Sequence, residues 1–163
     1  MFSLKGKKIN QFIIPGFGIL VVLVLVVFPI MKNKFGMFDP RDGMTQVSTT
    51  IGKNKVVLWQ ADSEMTRARG LSGLDALPQG RGMLFIFDTL DFWGIWMKEM
   101  RFPIDIVWLD SNFSVVHVEK NADPATYPSI FFPKKKAKYV IELPKGDTDR
   151  LNIVVGQTLL ISK

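Results

Sequence analysis

Few side chains in this chain could do chemistry, and their spacing narrows the choice further. Histidine occurs once, at position 117, and cysteine not at all. Without cysteine there is no disulfide framework, thiolate nucleophile, thiolate zinc site or lipid-modified cysteine. His117 sits in an alternating stretch between Val115 and Glu119, where a lone histidine is expected to pack half-exposed rather than act as a general base. A serine nucleophile would have to use the same histidine, and no Gly-x-Ser-x-Gly elbow occurs. No histidine cluster has metal-ligand spacing, and there is neither a phosphate-binding loop nor a dinucleotide fingerprint. No residue is therefore expected to be catalytic, to bind a cofactor or to ligate a metal. Acid pairs stay open, because glycoside hydrolysis needs only two carboxylates about 5 to 9.5 Å apart. Asp105, Glu142, Glu119 and Asp88 are the available acids, and nothing in their spacing selects a pair.

Four polar residues lie in apolar surroundings and form the candidate binding or structural polar site: Arg67, Lys98, Asp105 and Glu142. A carboxylate among apolar neighbours is costly unless paired. Arg67 is the expected partner of Asp105, since a guanidinium suits a bidentate carboxylate contact. Such a pair would be a buried tie or a ligand site, and the tie is favoured. The aromatic residues Phe92, Trp93, Trp96 and Trp108 could stack sugars, but at strand spacing they are expected to be core. Tyr127, Phe131 and Phe132 are the candidate exposed contact loop.

The elements that must position these residues read as many short strands. The stretch Trp93 to Asp110 holds three of the four tryptophans and reads as two apolar strands joined by a short charged turn. With a five-residue loop at 99–103, Lys98 would oppose Ile104 and Met97 would oppose Asp105. Lys98 and Asp105 would then point to opposite faces unless a bulge intervenes. Thr45 to Ile51 and Val56 to Gln60 flank a turn, and Asp62 or Ser63 can cap a short helix running to Arg69 and ended by Gly70. Gly82 to Phe87 is a buried-strand candidate. In Ser114 to Lys120, Val116 and Val118 are expected on one face, with Val115, His117 and Glu119 on the other. Residues 121–133 form a loop with three prolines. Four lysines, Lys134, Lys135, Lys136 and Lys138, read as a solvated run before the strand Tyr139 to Leu143. A short helix near Asp147 to Leu151 and a last strand, Thr158 to Ile161, follow. The expected fold is mostly β or α+β, a compact and largely antiparallel small β domain with two short helices, preceded by one N-terminal transmembrane helix.

That transmembrane expectation rests on residues 12–31, twenty in a row without charge and about 30 Å long as a helix. A basic segment, 1–11, precedes it, a linker, 32–44, follows, and the globular part spans 45–163. A cleavable signal peptide also fits a basic start and an apolar run, but no small-x-small site follows Phe28-Pro29-Ile30-Met31. An uncleaved anchor is therefore the expectation. Lysine and arginine number three on each side, and the amino terminus tips the count towards an external globular part. Charge agrees with a bilayer partner. Residues 1–44 carry six Lys/Arg against two Asp, a net of +4, and residues 45–163 fifteen against thirteen, a net of +2. The excess flanks the apolar segment, where basic residues meet lipid headgroups, so no nucleic-acid partner is expected.

The ordered set Arg67-Ala68-Arg69-Gly70-Leu71, Gly82-Met83-Leu84-Phe85, Trp96-Met97-Lys98, Pro103-Ile104-Asp105 and Tyr139-Val140-Ile141-Glu142-Leu143, with Val155-Gly156, resembles domain of unknown function 192. The resemblance covers about residues 56–161. It implies a β-rich fold and an exported or membrane-anchored address, without a settled activity. Two departures stand out: Glu99 replaces the usual asparagine after Trp-Met-Lys, and the 121–133 loop lacks the cysteines of many members. The expected function is a membrane-anchored, extracytoplasmic, non-catalytic binding or accessory domain, with an envelope polymer or membrane protein as partner. The alternatives are an envelope glycan hydrolase working through acidic residues and a scaffold in a membrane complex.

Overall fold

A computed structural model of the chain describes Arg41 and residues 43–161. The anchor expected at 12–31 lies outside the described residues, as do the basic segment and most of the linker. Among the described residues no helix is long and apolar enough to cross a membrane. Residues from Gly43 onward close on themselves as one compact unit.

The first hairpin joins β1 (Gln46–Ile51) to β2 (Asn54–Ala61) through Gly52 and Lys53, with Ile51 opposite Asn54. Gly52 has φ +62°, the left-handed conformation that a two-residue hairpin turn requires. Along β1 burial alternates, and Val47, Thr49 and Ile51 face inward. Helix α1 (Glu64–Arg69) starts with a reciprocal capping box: the Thr66 amide donates to Ser63 Oγ at 3.2 Å, and the Ser63 amide donates to Thr66 Oγ1 at 3.0 Å. This helix supplies the crossover that lets β3 (Arg81–Asp91) run parallel to β2. The remaining main strands, β5 (Ile104–Leu109), β6 (Val115–Ala122) and β8 (Ala137–Pro144), pair antiparallel. With β9 (Leu160–Ile161) they form one seven-stranded sheet in the order β6-β5-β8-β3-β2-β1-β9. The sheet curls until its ends meet: Leu159 N–H donates to the Phe113 carbonyl, Val115 N–H to the Gln157 carbonyl, and Ser114 bridges Thr158. This is a mostly β domain with two short helices, α2 being Asp147–Arg150.

Both faces of the curled sheet are covered, which explains why every residue of β5 is buried. The inner face holds Leu58, Leu84, Val107, Tyr139, Ile141 and Leu143. The outer face holds Met83, Phe85, Ile106, Trp108 and Val140 under a layer that includes Leu71, Ile95 and Met97. Trp108 is fully buried, and its indole N–H donates to the Trp93 carbonyl at 2.8 Å.

Three local expectations are corrected. The two apolar runs of 93–110 do not pair with each other. β4 (Ile95–Trp96) forms a separate two-stranded ribbon with β7 (Ile130–Phe131), because β6 and β8 already occupy both edges of β5. The proposed register of Lys98 against Ile104 therefore does not exist. Val116 and Val118 also fall on opposite faces. An extra residue is accommodated where Leu109 pairs with Val115 but Trp108 pairs with His117, so Val116 packs outward and Val118 inward.

Candidate functional site

Strand alternation decides where the polar residues of the sheet go. Asp105 lies between Ile104 and Ile106, which face outward, so its carboxylate faces inward. There it accepts four hydrogen bonds: from the amides of Asn121, Gly146 and Thr148 at 3.0 Å each, and from Thr148 Oγ1 at 2.6 Å. These tie β5 to the end of β6 and to the turn that starts α2. The expected Arg67–Asp105 pair is thus corrected, because the two groups stand on opposite sides of the sheet. Arg67 instead donates from Nη1 to the carbonyls of Asp62 and Ile86, both at 2.8 Å, with its guanidinium carbon 5.4 Å from the centre of the Phe87 ring. Asp105 is held instead by backbone amides and the Thr148 hydroxyl.

Glu142 is the outward-facing acid of β8. It lies in register with Met83 and Ile106, both fully buried. It is 5% exposed, and its Oε2 meets no hydrogen-bond donor among the described residues. Burial alone pushes its pKa up to about 8, so the neutral acid dominates at physiological pH. A protonated carboxyl can donate as well as accept.

The carboxyl lies at a cavity of about 190 Å³ between α1 and the ribbon, lined also by Arg67, Phe85, Phe87 and Trp96. Glu142 is the acid lining this cavity. Trp96 is half exposed on the outer side of the ribbon, opposite Ile130, and its ring meets Tyr127 edge-on at 6.1 Å. Gly94 allows the ribbon to close: a Cβ there would come within 2.5 Å of Ile130 Cγ2 and 2.7 Å of Phe132 Cε1. Trp93 stacks on Phe87 at 4.2 Å behind the cavity wall.

Of the four polar candidates, the fold brings Arg67 and Glu142 to one cavity and places Asp105 on the other face. Lys98 lies over the Trp96 ring at 5.6 Å and lines an adjoining groove. Tyr127 and Phe132 are exposed, whereas Phe131 packs inward and Ile130 takes the exposed place. The aromatics expected in the core divide: Trp108 and Trp93 pack, while Phe92 and Trp96 are exposed. His117 lies against Trp108, ring centres 5.4 Å apart. Burial and Lys134 push its pKa below the usual value despite Glu119 at 3.9 Å. Among the described residues no three histidine or acidic side chains gather as a metal-binding group. The cavity residues that sequence reasoning passed over, Phe85, Phe87 and Gly94, carry no chemical signal of their own.

Known proteins share this arrangement of strands. A crystal structure from Sinorhizobium meliloti 1021, provisionally named a transcription regulator, superposes with a TM-score of 0.65 at 24% identity, covering 71% of this chain and 92% of that one. A protein of unknown function from Novosphingobium aromaticivorans DSM 12444 gives 0.63 at 24% identity, covering 72% of this chain and 84% of the other. At this identity the likeness concerns the fold. A relative from Thermococcus sibiricus (strain DSM 12597 / MM 739), named UPF0127 protein, is 32% identical over 114 residues, which is 67% of this chain and 71% of the relative. Residues 46–161 match the profile described as "Uncharacterized ACR", so the chain belongs to that family, domain of unknown function 192.

Proposed function

We propose that the domain is a non-catalytic binding module whose cavity takes a polyhydroxylated ligand, a short stretch of envelope glycan. The observation that supports this most is Glu142: a nearly buried acid with an unpartnered oxygen, lining a cavity that the half-exposed Trp96 also borders. Aromatic faces take the apolar side of a sugar ring, and a neutral carboxyl exchanges hydrogen bonds with its hydroxyls in both directions. A glycosidase would need a second facing carboxylate, and among the described residues Glu142 is the one acid that lines the cavity. The name of the Sinorhizobium structure adds no support for a nucleic-acid role here, since the globular part carries a net charge of only +2.

The anchor belongs to the same proposal. Twenty uncharged residues at 12–31 between lysines support a single-pass membrane protein with the binding domain outside the cytoplasm, where envelope glycan is found. Protease treatment of intact cells tests this, and digestion of the domain only after lysis would refute it. Binding is tested by titrating the full chain in mild detergent with neutral trisaccharides, following tryptophan fluorescence and backbone amide shifts. Saturable changes centred on Gly70, Gly94 and Trp96, weakened about two- to tenfold by Glu142→Leu, are expected. Absence of saturable binding, or turnover of the sugar that disappears in Glu142→Gln, would refute the proposal.

A further inference from the structure

The cavity does not end at Arg67. It shares Ala68, Arg69 and Ser72 with an open groove of about 450 Å³ that runs past Met65, Lys98 and Glu99. The groove walls are hydrogen-bonded to each other: Ser72 Oγ donates to the Lys98 carbonyl at 2.8 Å, and the Gly73 amide donates to the Glu99 carbonyl at 3.1 Å. The end of α1 and the 97–100 segment therefore hold a preformed spacing. Both cations of the groove, Arg69 and Lys98, lack an ion-pair partner among the described residues. Arg101, Lys120, Lys136 and Arg150, by contrast, each sit against an aspartate. Glu99 is the acid of the groove, so its charge is net positive by one. The Lys98 ammonium, over the Trp96 ring, stands where groove and cavity adjoin.

We propose that this groove is an anion subsite continuous with the Glu142 cavity, so that the preferred ligand is an acidic oligosaccharide carrying a carboxylate on the ring next to the one in the cavity. The inference rests on the binding reading above and adds the charge class of the ligand. Arg69 offers the planar pair of donors that a sugar carboxylate accepts, and Lys98 adds a second, mobile charge. A ring in the cavity places its neighbour in the groove, because the two share three lining residues. Both cations are exposed, so salt weakens their part of the binding, while contacts to Glu142 and Trp96 persist.

The test compares trigalacturonate with its neutral trisaccharide counterpart on the full chain in mild detergent, at low and high salt. The acidic sugar is expected to bind roughly three- to tenfold more tightly at low salt, with the difference collapsing at about 0.5 M salt. Arg69→Gln with Lys98→Gln should erase the preference, whereas Glu142→Leu should weaken both sugars alike. Equal affinities at low salt, or a preference that survives the double substitution, would overturn the anion subsite alone. Failure of both sugars to bind would overturn the binding reading beneath it.

Discussion

Replacing Glu142 by glutamine should make the domain more stable, and by an amount that depends on pH. The acid ionises near 4.5 in an unfolded chain, whereas burial raises it to about 8 in the folded one. Between those values the folded protein holds one more proton than the unfolded chain, so stability falls as pH rises. The contribution is fully present below pH 4.5 and lost as pH rises through 8. At 1.36 kcal/mol per pH unit the interval corresponds to on the order of 5 kcal/mol, an upper figure that any hydration of the cavity reduces. Glutamine has the same shape and no charge, so it escapes the penalty. Urea unfolding of both proteins at pH 4, 6, 8 and 9 isolates the effect, since other titrating groups cancel in the difference. The variant's advantage should grow steadily from pH 4 to 8 and then level off. A difference that stays flat would show that the carboxyl is hydrated. An advantage that shrinks with pH would show that it ionises against a cation, and either result would refute the desolvated acid.

Asp105→Ala should cost about 3 kcal/mol, because three amides, that of Thr148 buried, and the Thr148 hydroxyl lose their acceptor together, and urea midpoints would report it. Gly94→Ala should loosen the ribbon at a cost of about 1–3 kcal/mol and weaken sugar binding, read by thermal unfolding and fluorescence titration. His117 should titrate below 6.5 by NMR; its neutral form is favoured in the fold, so stability is lost as pH falls below 6.5, and a value above 6.5 would contradict the packing against Trp108.

Local pattern was enough to place much of the fold. The first hairpin, the helix between Ser63 and Gly70, the strand at Tyr139–Leu143 and the short helix after Gly146 all follow from neighbours within about ten residues. The family was legible for the same reason, as short runs in a set order. The site was legible only as a set of candidates. Arg67 and Glu142 stood out because charge in apolar company is costly wherever the chain goes.

What the sequence determined on its own was the inventory: which stretches become strands, which lone charges need an answer, and which chemistries lack parts. Tertiary structure decided the answers, because partners are chosen across the sheet. Asp105 is satisfied by backbone amides 16 to 43 residues away, and every residue offers an amide, so no side-chain pattern could announce them. Trp96 is exposed because its strand joins Ile130–Phe131 rather than β5. One extra residue in β6 sends Val116 and Val118 to opposite faces. Face and partner depend on register, and register is settled only when the whole sheet has curled shut.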